Sequence, residues 1–290
     1  MTREAPIPGS RAQAPTGLRA ASRISLAGWS LHRAIERGDV RGLDLPRIAR
    51  VDFGIDAVEL VNTLLESSDD RAMRHVREQA GDHGVEVLLL MVDDEGDLSA
   101  NDARERRRAV ESHRRWIDAA ARLGCRAIRV NTGGGPEVEG AMSITGAAVA
   151  RAIDRVADSL ARLCDLAAPA GLDVLIENHG GLSSNVDAVL ELLRRAARPN
   201  LGTLPDFGNF PPGADVHGAI EKLAPHARAV SAKCFDFDEE GNETTLDYPR
   251  LIGIVDDAGY RGWLGIEYEG ARLTEPDGIR ACQRLLMRLL

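Results

Sequence analysis

Short apolar runs recur along the chain, and each is followed by a segment in which apolar residues have helical spacing. Most of these runs are continuous stretches of Val, Ile and Leu rather than strict alternations, which is typical of strands buried on both faces. Eight runs are predicted as strands, at residues 23–29, 56–62, 85–93, 126–132, 172–178, 200–206, 228–236 and 263–270. The pattern therefore predicts an α/β protein with a parallel sheet.

Amphipathic segments between the strands predict the helices. One helix is predicted over residues 101–124 and another over 144–171, and a glycine closes each of them. Eight strand–helix alternations predict a (β/α)8 TIM barrel, with a doubly wound parallel sheet as the alternative. We expect residues 23–290 to form this barrel as a single domain, and residues 1–22, which are rich in Pro, Gly, Arg and Ala, to form a flexible N-terminal tail.

The charge balance argues against a nucleic-acid-binding protein. The chain has 36 basic and 45 acidic residues and a formal net charge of −9, whereas neutralisation of phosphates needs a basic face. No apolar run approaches the roughly 18 residues of a membrane span, and residues 1–22 lack the apolar core of a secretory signal. Four scattered cysteines without CxxC spacing fit a reducing compartment. We therefore expect a cytoplasmic protein without nucleic-acid or membrane partners.

Polar side chains follow the predicted strands at their carboxyl ends, where the catalytic groups of such barrels lie. The run DVLIENHGG passes directly from apolar residues to Glu177, Asn178 and His179. Asp206 ends the next strand, and Glu267 interrupts the apolar last strand. Buried carboxylates are costly unless they are paired or bind a cation. The three acids are therefore predicted to converge on the barrel axis and to hold a hard divalent ion such as Mg²⁺ or Mn²⁺.

Other polar residues near the strand ends are candidates for substrate contacts, and each has a structural alternative. His179 shares a face with Glu177 by strand periodicity, so it either contacts ligand or orients Glu177. His32 faces either the barrel mouth or the next helix. Lys233 is either an electrophile for a carbonyl or enolate oxygen, or part of a structural ion pair. Glu59 either holds the far end of a sugar or pairs with an arginine.

Four stretches resemble the sugar phosphate isomerase/epimerase family of xylose isomerase-like TIM barrels. They are LIENHGG (175–181), LPDFGNF (204–210), VSAKCFDFDEEGNE (230–243) and DDAGYRGWLGIEYEG (256–270). The resemblance covers about residues 23–290, and the last stretch is the most specific because it combines the closing strand with its acid. The family includes ketose 3-epimerases, hydroxypyruvate isomerase, inosose dehydratase and a more distant DNA-repair endonuclease branch.

The resemblance implies one divalent metal ion, held by Glu, Asp, His and Glu from the fifth to the eighth strand. Three acids of this chain match that pattern: Glu177, Asp206 and Glu267. Ser231 stands in SAK, where the family usually has His-x-Lys, and Asn209 stands where many epimerases have a histidine that contacts substrate. Either water, His179 or another group would then complete the ligand set, or the metal would be bound weakly. Mn²⁺ or Mg²⁺ is expected, with Co²⁺ or Zn²⁺ as further options.

The predicted function is that of a metal-dependent sugar isomerase or epimerase in carbohydrate metabolism. Glu177 or Glu267 would remove a proton next to a sugar carbonyl, and the metal would stabilise the resulting enediolate. Lys233 is predicted to assist catalysis. The predicted substrate contacts are His32, Glu59, Asn178, His179 and Asn209.

The fate of the enediolate decides the reaction, and the sequence leaves it open. Return of the proton to another carbon gives isomerisation, return to the opposite face gives epimerisation, and loss of a β-hydroxyl group gives dehydration. A sugar lyase is therefore the second choice. A metal-dependent hydrolase or endonuclease and a non-catalytic sugar-binding barrel also stay open. The expected partner is a small, neutral sugar, and the sequence neither requires nor excludes a homodimer.

Overall fold

The computed structural model describes residues 23–134 and 146–290, in which parallel strands alternate with helices. The strands are β1 (Ile24–Ala27), β2 (Ala57–Val61), β3 (Glu86–Val92), β4 (Ala127–Val130), β5 (Asp173–Glu177), β6 (Leu201–Leu204), β7 (Val230–Cys234) and β8 (Leu264–Tyr268). Each strand lies within the range predicted for it from the sequence. The expected N-terminal tail, residues 1–22, lies outside the described residues.

Ten α-helices occur in the described residues. They are α1 (His32–Glu36), α2 (Leu45–Phe53), α3 (Asp70–His83), α4 (Ala103–Ser112), α5 (Arg114–Leu123), α6 (Ala147–Ala167), α7 (Val186–Ala196), α8 (Val216–Leu223), α9 (Tyr248–Asp257) and α10 (Glu275–Leu289). Among these helices, none combines the length and the apolar character needed to cross a membrane.

The prediction of one continuous helix over residues 101–124 is wrong, because α4 and α5 are separate helices that meet at His113. Ser112 Oγ and His113 Nδ1 both donate to the carbonyl oxygen of Ala109, at 2.9 and 2.6 Å. Side chains that compete for backbone carbonyl groups in this way interrupt the helical hydrogen-bond ladder. Farther along the chain, α6 continues through a short 3₁₀ turn and stops at Gly171, which has the left-handed φ of 69°.

The sheet closes into a barrel. Its hydrogen-bonded order is β6-β5-β4-β3-β2-β1-β8-β7, and each of these pairings is parallel. Parallel bridges between Thr203 and Ala227 and between Asp206 and Ser231 join β6 to β7. Along this seam, Ser231 N donates to Pro205 O at 2.9 Å. The predicted single-domain TIM barrel is thus confirmed, and the doubly wound sheet is excluded.

Strand alternation separates the apolar core into two layers. Val174 and Ile176 belong to the large cluster between strands and helices, whereas Leu175 packs inside the barrel with Ala127 and Met91. Positions of interior parity near the carboxyl ends of the strands are polar and almost fully buried: Arg129, Glu177, Ser231, Lys233 and Glu267. The barrel therefore has an apolar lower interior and a charged upper one.

Between these layers, Glu59 of β2 is buried with 1% exposure. Ser25 Oγ donates to Glu59 Oε1 at 2.6 Å, so its hydrogen-bond partner is a serine rather than an arginine. Burial raises the pKa of Glu59 to about 7. Gly265 of β8 provides the space for this carboxyl group, because a Cβ atom there would lie 2.6 Å from Glu59 Oε1.

We expect Gly265→Ala to lower the free energy of unfolding by about 1 to 3 kcal/mol, because its methyl group would overlap the buried Glu59 carboxyl group. Gly253→Ala in α9 is the matched control. Nothing lies within 4 Å of a Cβ atom at Gly253, and alanine favours a helix by up to about 1 kcal/mol. Urea denaturation of the two variants and the wild type measures both effects. Equal stability of Gly265→Ala and wild type would contradict the tight packing at this position.

Glu59 also predicts a pH dependence of stability. The folded protein keeps a proton on Glu59 up to about pH 7, whereas the unfolded chain releases it near the ordinary pKa of 4.5. Between these values the folded state binds more protons, so the contribution of Glu59 to the free energy of unfolding falls as pH rises. Between about pH 5 and pH 8, the free energy of unfolding of Glu59→Gln should therefore rise relative to that of wild type by up to about 3 kcal/mol. The exposed variant Glu221→Gln is the control, and parallel profiles for Glu59→Gln and wild type would refute the assignment.

Candidate active site

Three acidic residues meet at the carboxyl end of the barrel. Glu177 ends β5, Asp206 follows β6 and Glu267 lies near the end of β8, and no more than 4% of any of them is exposed. One carboxylate oxygen of each residue lies within 4.8 Å of the corresponding oxygens of the other two. The structure therefore brings together the three carboxylates that the sequence predicts as metal ligands.

Asp206 is fixed by hydrogen bonds from its neighbours. Asn178 Nδ2 donates to Asp206 O at 3.0 Å, and Asp206 N donates to Asn178 Oδ1 at 2.8 Å. The backbone N–H groups of Gly208 and Asn209 donate to Asp206 Oδ1 at 2.7 and 2.8 Å. Asp206 Oδ2 has no hydrogen bond in the described structure, so this oxygen is the one available to a cation.

A buried ion-pair network links Glu177 to β3 and β4. Arg129 Nε lies 2.8 Å from Glu177 Oε2, and Arg129 Nη1 donates to Asp93 Oδ1. Burial disfavours the charged form of Asp93, but the guanidinium outweighs burial and holds the pKa of Asp93 below its ordinary value. Within the described residues, Arg129 Nε and Glu177 Oε2 lack hydrogen-bond geometry. Their contact is therefore electrostatic, and Glu177 Oε2 keeps lone pairs for another partner.

Lys233 neutralises the other side of the acidic cluster. Its Nζ atom lies 2.8 Å from Asn209 Oδ1, 2.9 Å from Glu267 Oε1, 3.2 Å from Glu269 Oε2 and 3.8 Å from Asp206 Oδ2. Burial disfavours the ammonium group, but attraction to Asp206 and Glu267 keeps the pKa of Lys233 above its ordinary value. The three nearer acceptors match the three N–H groups of an ammonium ion. To act as an electrophile, Lys233 would have to give up one of these partners.

Asn209 and Ser231 contact the two glutamates. Asn209 Nδ2 donates to Glu177 Oε1 at 2.9 Å, while its Oδ1 accepts from Lys233. Ser231 Oγ donates to Glu267 Oε2 at 3.2 Å. A single amide thus connects Glu177 to Lys233 and, through it, to Glu267.

The three carboxylates fit a hard divalent cation. Burial raises the pKa of Glu177 and of Asp206, although Arg129 opposes the shift at Glu177 and Lys233 opposes it at Asp206. These raised pKa values reflect the unfavourable burial of like charges in one place. An ion bound by the free oxygens of Glu177 and Asp206 and by Glu267 would relieve this repulsion. An all-oxygen donor set is the kind that Mg²⁺ and Mn²⁺ prefer.

Two residues of the acidic cluster, Glu177 and Glu267, line a cavity of about 400 Å³. Trp29, Val61 and Met91 give the cavity an apolar surface, and Trp29 Nε1 donates to Glu269, which fixes the indole ring. The polar lining residues are Thr63, Asp93, Asp94, Arg129, Asn131, Glu177, His179, Asn209, Lys233, Glu267 and Glu269. This volume and this mixture of surfaces suit a small ligand with several hydroxyl groups.

The predicted substrate contacts divide into two groups. His179 and Asn209 line the cavity, and burial together with the charge of Arg129 lowers the pKa of His179, so its imidazole is held in the neutral form. Among the described residues, His32, Glu59 and Asn178 lie outside the cavity lining. The substrate-binding roles of all five residues stay predictions. The geometry favours the roles of His179 and Asn209, because these two residues line the cavity.

The three residues outside the cavity lining have other contacts near the site. His32 stacks on the indole of Trp29 with ring centroids 4.7 Å apart, and its Nδ1 lies 2.7 Å from Trp29 O. Glu59 lies against Gly265, two residues before Glu267, and Asn178 holds the backbone of Asp206. His32 and Asn178 therefore reach the site through a neighbouring residue.

Four further residues belong to the site although sequence reasoning gave them no role: Trp29, Asp93, Arg129 and Glu269. The signal for Arg129 was present, because a charged residue in an apolar strand shares its parity with Ala127. Glu269 likewise follows Glu267 by two positions. Asp93 could not be paired with Arg129 from the sequence, because their contact joins neighbouring strands 36 residues apart.

Solved structures with the same fold include two enzymes of different reaction classes. The structure of an L-ribulose 3-epimerase is 18% identical to this chain with a TM-score of 0.72, and the match covers 93% of this chain and 94% of that one. The structure of a probable 3-DHS dehydratase involved in petrobactin synthesis, from Bacillus anthracis, is 20% identical with a TM-score of 0.68, and covers 91% of this chain and 98% of that one. At these identities, the similarity shows the fold.

A curated relative has higher identity over a short region. The C-glycoside deglycosidase alpha subunit of Arthrobacter globiformis is 43% identical over 73 residues, which is 22% of this chain and 21% of that protein. The match therefore spans about a fifth of the length of that relative.

The model of one protein family matches most of the chain, residues 49–289. Its match includes seven of the eight strands and all three acidic residues of the cluster. The family resemblance predicted from the sequence is thus confirmed, and the chain belongs to the xylose isomerase-like TIM barrel family.

Proposed function

We propose that this protein is a metal-dependent sugar isomerase or epimerase that removes a proton next to a carbonyl group. The observation that carries this proposal is the meeting of Glu177, Asp206 and Glu267 in one buried cluster beside a cavity. Two of the three acids, Glu177 and Glu267, also line the cavity and can exchange protons with a ligand there. Their strands, β5 and β8, are three places apart around the barrel, so they approach a ligand from different directions.

Proton removal is assigned to a carboxylate of this pair. The raised pKa of Glu177 makes it a stronger base than an exposed glutamate, and Arg129 keeps a positive charge beside it. Glu177, Asp206 and Glu267 would hold the ion, with Mn²⁺ or Mg²⁺ proposed. When bound, the ion would supply positive charge for the oxygen of a developing enediolate. Asn209 and His179 would orient hydroxyl groups of the sugar.

The carboxylate that returns the proton determines the product. Return by Glu177 to the neighbouring carbon gives isomerisation, whereas delivery by Glu267 to the opposite face gives epimerisation. Both outcomes use the same first step and the same charged groups.

A lyase is the second candidate, and the short match to a C-glycoside deglycosidase alpha subunit favours it. The name of that relative denotes cleavage of a C-glycoside, and a dehydratase is among the proteins with the same fold. After the same proton removal, the substituent on the carbon one further from the carbonyl group leaves, and a double bond forms in place of proton return. The base that removes the proton is the same in both reactions.

The proposed ligand is a small, uncharged sugar. The cavity is lined by more acids than bases, and Arg129 and Lys233 already contact carboxylates. A phosphate or carboxylate group on the ligand would have to compete with these internal partners. We extend the proposal to a cytoplasmic location and to a protein without nucleic-acid partners. The net charge of −9 supports the second of these.

Glu177→Gln should lower turnover at least about 100-fold, because an amide can neither accept the proton nor offer a charged ligand oxygen. Turnover is measured with Mn²⁺ on a panel of neutral ketoses and keto sugars, and circular dichroism confirms the fold. The same substitution at the exposed Glu221 of α8 is the control and should leave turnover unchanged. A Glu177→Gln protein with near-wild-type turnover would remove Glu177 from the mechanism.

Exchange with solvent deuterium separates the candidate functions. In D2O with Mn²⁺, an isomerase or epimerase should place deuterium on a carbon next to the carbonyl group, which NMR of the recovered sugar detects. A lyase should instead release the substituent and leave an unsaturated carbonyl product. Removal of the metal with a chelator should stop either reaction. A protein that binds the sugar but shows neither exchange nor cleavage would be a non-catalytic barrel.

A further inference from the structure

Lysine is rare in this chain, and one of its lysines lies in the candidate site. All but two of its 36 basic residues are arginine, and the two lysines are Lys222 and Lys233. Lys222 is an exposed residue of α8 that pairs with Asp187 at 2.7 Å. Lys233 is the opposite case, because 3% of its side chain is exposed and its ammonium group lies among carboxylates. The choice of lysine over arginine in the site therefore calls for a physical explanation.

The ammonium group of Lys233 lies where a cation bound by the acidic cluster would be repelled by it. It contacts Glu267 Oε1 at 2.9 Å and lies 3.8 Å from Asp206 Oδ2, and these two residues belong to the cluster that fits a divalent ion. Unit charges of like sign at such distances repel strongly in a buried site. Lys233 and the ion cannot both make their closest contacts with the same carboxylates.

Lys233 also has partners outside the cluster that could keep its ammonium group. Asn209 Oδ1 accepts from it at 2.8 Å, and Glu269 Oε2 lies 3.2 Å away. Glu269 is itself held by Trp29 Nε1. Two of the three acceptors of Lys233 therefore remain available if the contact with Glu267 is lost.

The local packing suits a small displacement of this side chain. Its Cγ and Cδ atoms run along Gly208, where a Cβ atom would come within 2.9 Å of both. Lysine is a compact charge on a flexible stem, whereas arginine would bring a planar group that needs two aligned acceptors. The absence of a side chain at Gly208 leaves room for the stem, and its flexible bonds are those that a shift of the charge would use.

We propose that Lys233 and the divalent ion compete for the carboxylates of Glu267 and Asp206, and that ion binding shifts the ammonium group toward Asn209 and Glu269. This inference rests on the metal dependence in the proposed function. It makes Lys233 a positioning residue that stabilises the acidic cluster before the ion binds. It also makes the ion weakly bound and readily exchanged, because each binding event has to displace an internal cation. After the shift, the ammonium group faces the cavity that Asn209 and Glu269 both line.

NMR of the full chain labelled with ¹⁵N-lysine tests the displacement directly. The protein should give two side-chain ammonium signals, because it contains two lysines. Titration with Mg²⁺ should shift the Lys233 signal with saturation, while the Lys222 signal stays in place as the internal control. Mg²⁺ binding measured by calorimetry without a change at Lys233 would overturn the proposal.

Metal affinity of variants tests the competition. Lys233→Met should bind Mn²⁺ about tenfold or more tightly than wild type by isothermal titration calorimetry, since an opposing charge is gone. Lys233→Arg keeps the charge and should bind no more tightly than wild type, and Lys222→Met is the matched control with unchanged affinity.

The outcomes separate this proposal from the proposed function. Equal Mn²⁺ affinities of wild type and Lys233→Met would overturn the competition while leaving metal dependence intact. Absence of Mn²⁺ binding in wild type and in every variant would overturn both. If Lys233→Met fails to fold, the NMR titration of the wild-type protein decides the question alone.

Discussion

Burial of three carboxylates at one end of the barrel is the constraint on which the rest of the site depends. Like charges in an apolar interior are unstable unless cations compensate them. This chain supplies Arg129 on the side of Glu177 and Lys233 on the side of Glu267 and Asp206. Both cations come from interior strand positions, so the same barrel strands that place the acids in the interior also place their cationic partners there. A divalent ion bound there would supply further positive charge and would compete with Lys233 for the same carboxylates.

The seam of the barrel and the site are the same place. Asp206 and Ser231 form the bridge that joins β6 to β7, and the bond from Ser231 N to Pro205 O lies beside it. On its other side β7 pairs with β8, which sets Ser231 against Gly265 and Lys233 against Glu267. Closure of the sheet therefore sets the distance between Asp206 and Glu267. The same hydrogen bonds that complete the fold thus assemble the acidic cluster.

Sequence reasoning found the acidic cluster because its signal is local. Apolar runs that end in Glu177 and Asp206 and a glutamate inside the last strand are visible without knowledge of contacts. Strand parity could also have identified Arg129. The pairing of Arg129 with Asp93 and of Lys233 with Asn209 depends on side-chain positions across strands, which a single sequence does not encode.

The sequence also does not show which way a side chain near a strand end faces. His32 follows a strand that leads to the barrel mouth, yet its ring stacks on Trp29 and its Nδ1 also lies 3.8 Å from Glu275 Oε1. The backbone turns into a short helix immediately after β1, and this turn decides which way the imidazole faces. Likewise, the apolar spacing continues across His113 and predicts one helix where the structure has α4 and α5. The break comes from side-chain hydrogen bonds to Ala109 O.

The two glutamates are held differently, and the difference bears on the reaction. Glu177 Oε1 accepts a hydrogen bond from Asn209, and Glu177 Oε2 faces the guanidinium of Arg129 without hydrogen-bond geometry. Glu267 has both oxygens engaged, Oε1 by Lys233 and Oε2 by Ser231. In the proposed mechanism, chemistry that needs one base, such as isomerisation or elimination, would use Glu177. Epimerisation would also need Glu267 to exchange a proton after Lys233 has left its carboxylate. The contacts of Lys233 would then bear on both metal binding and the choice of product.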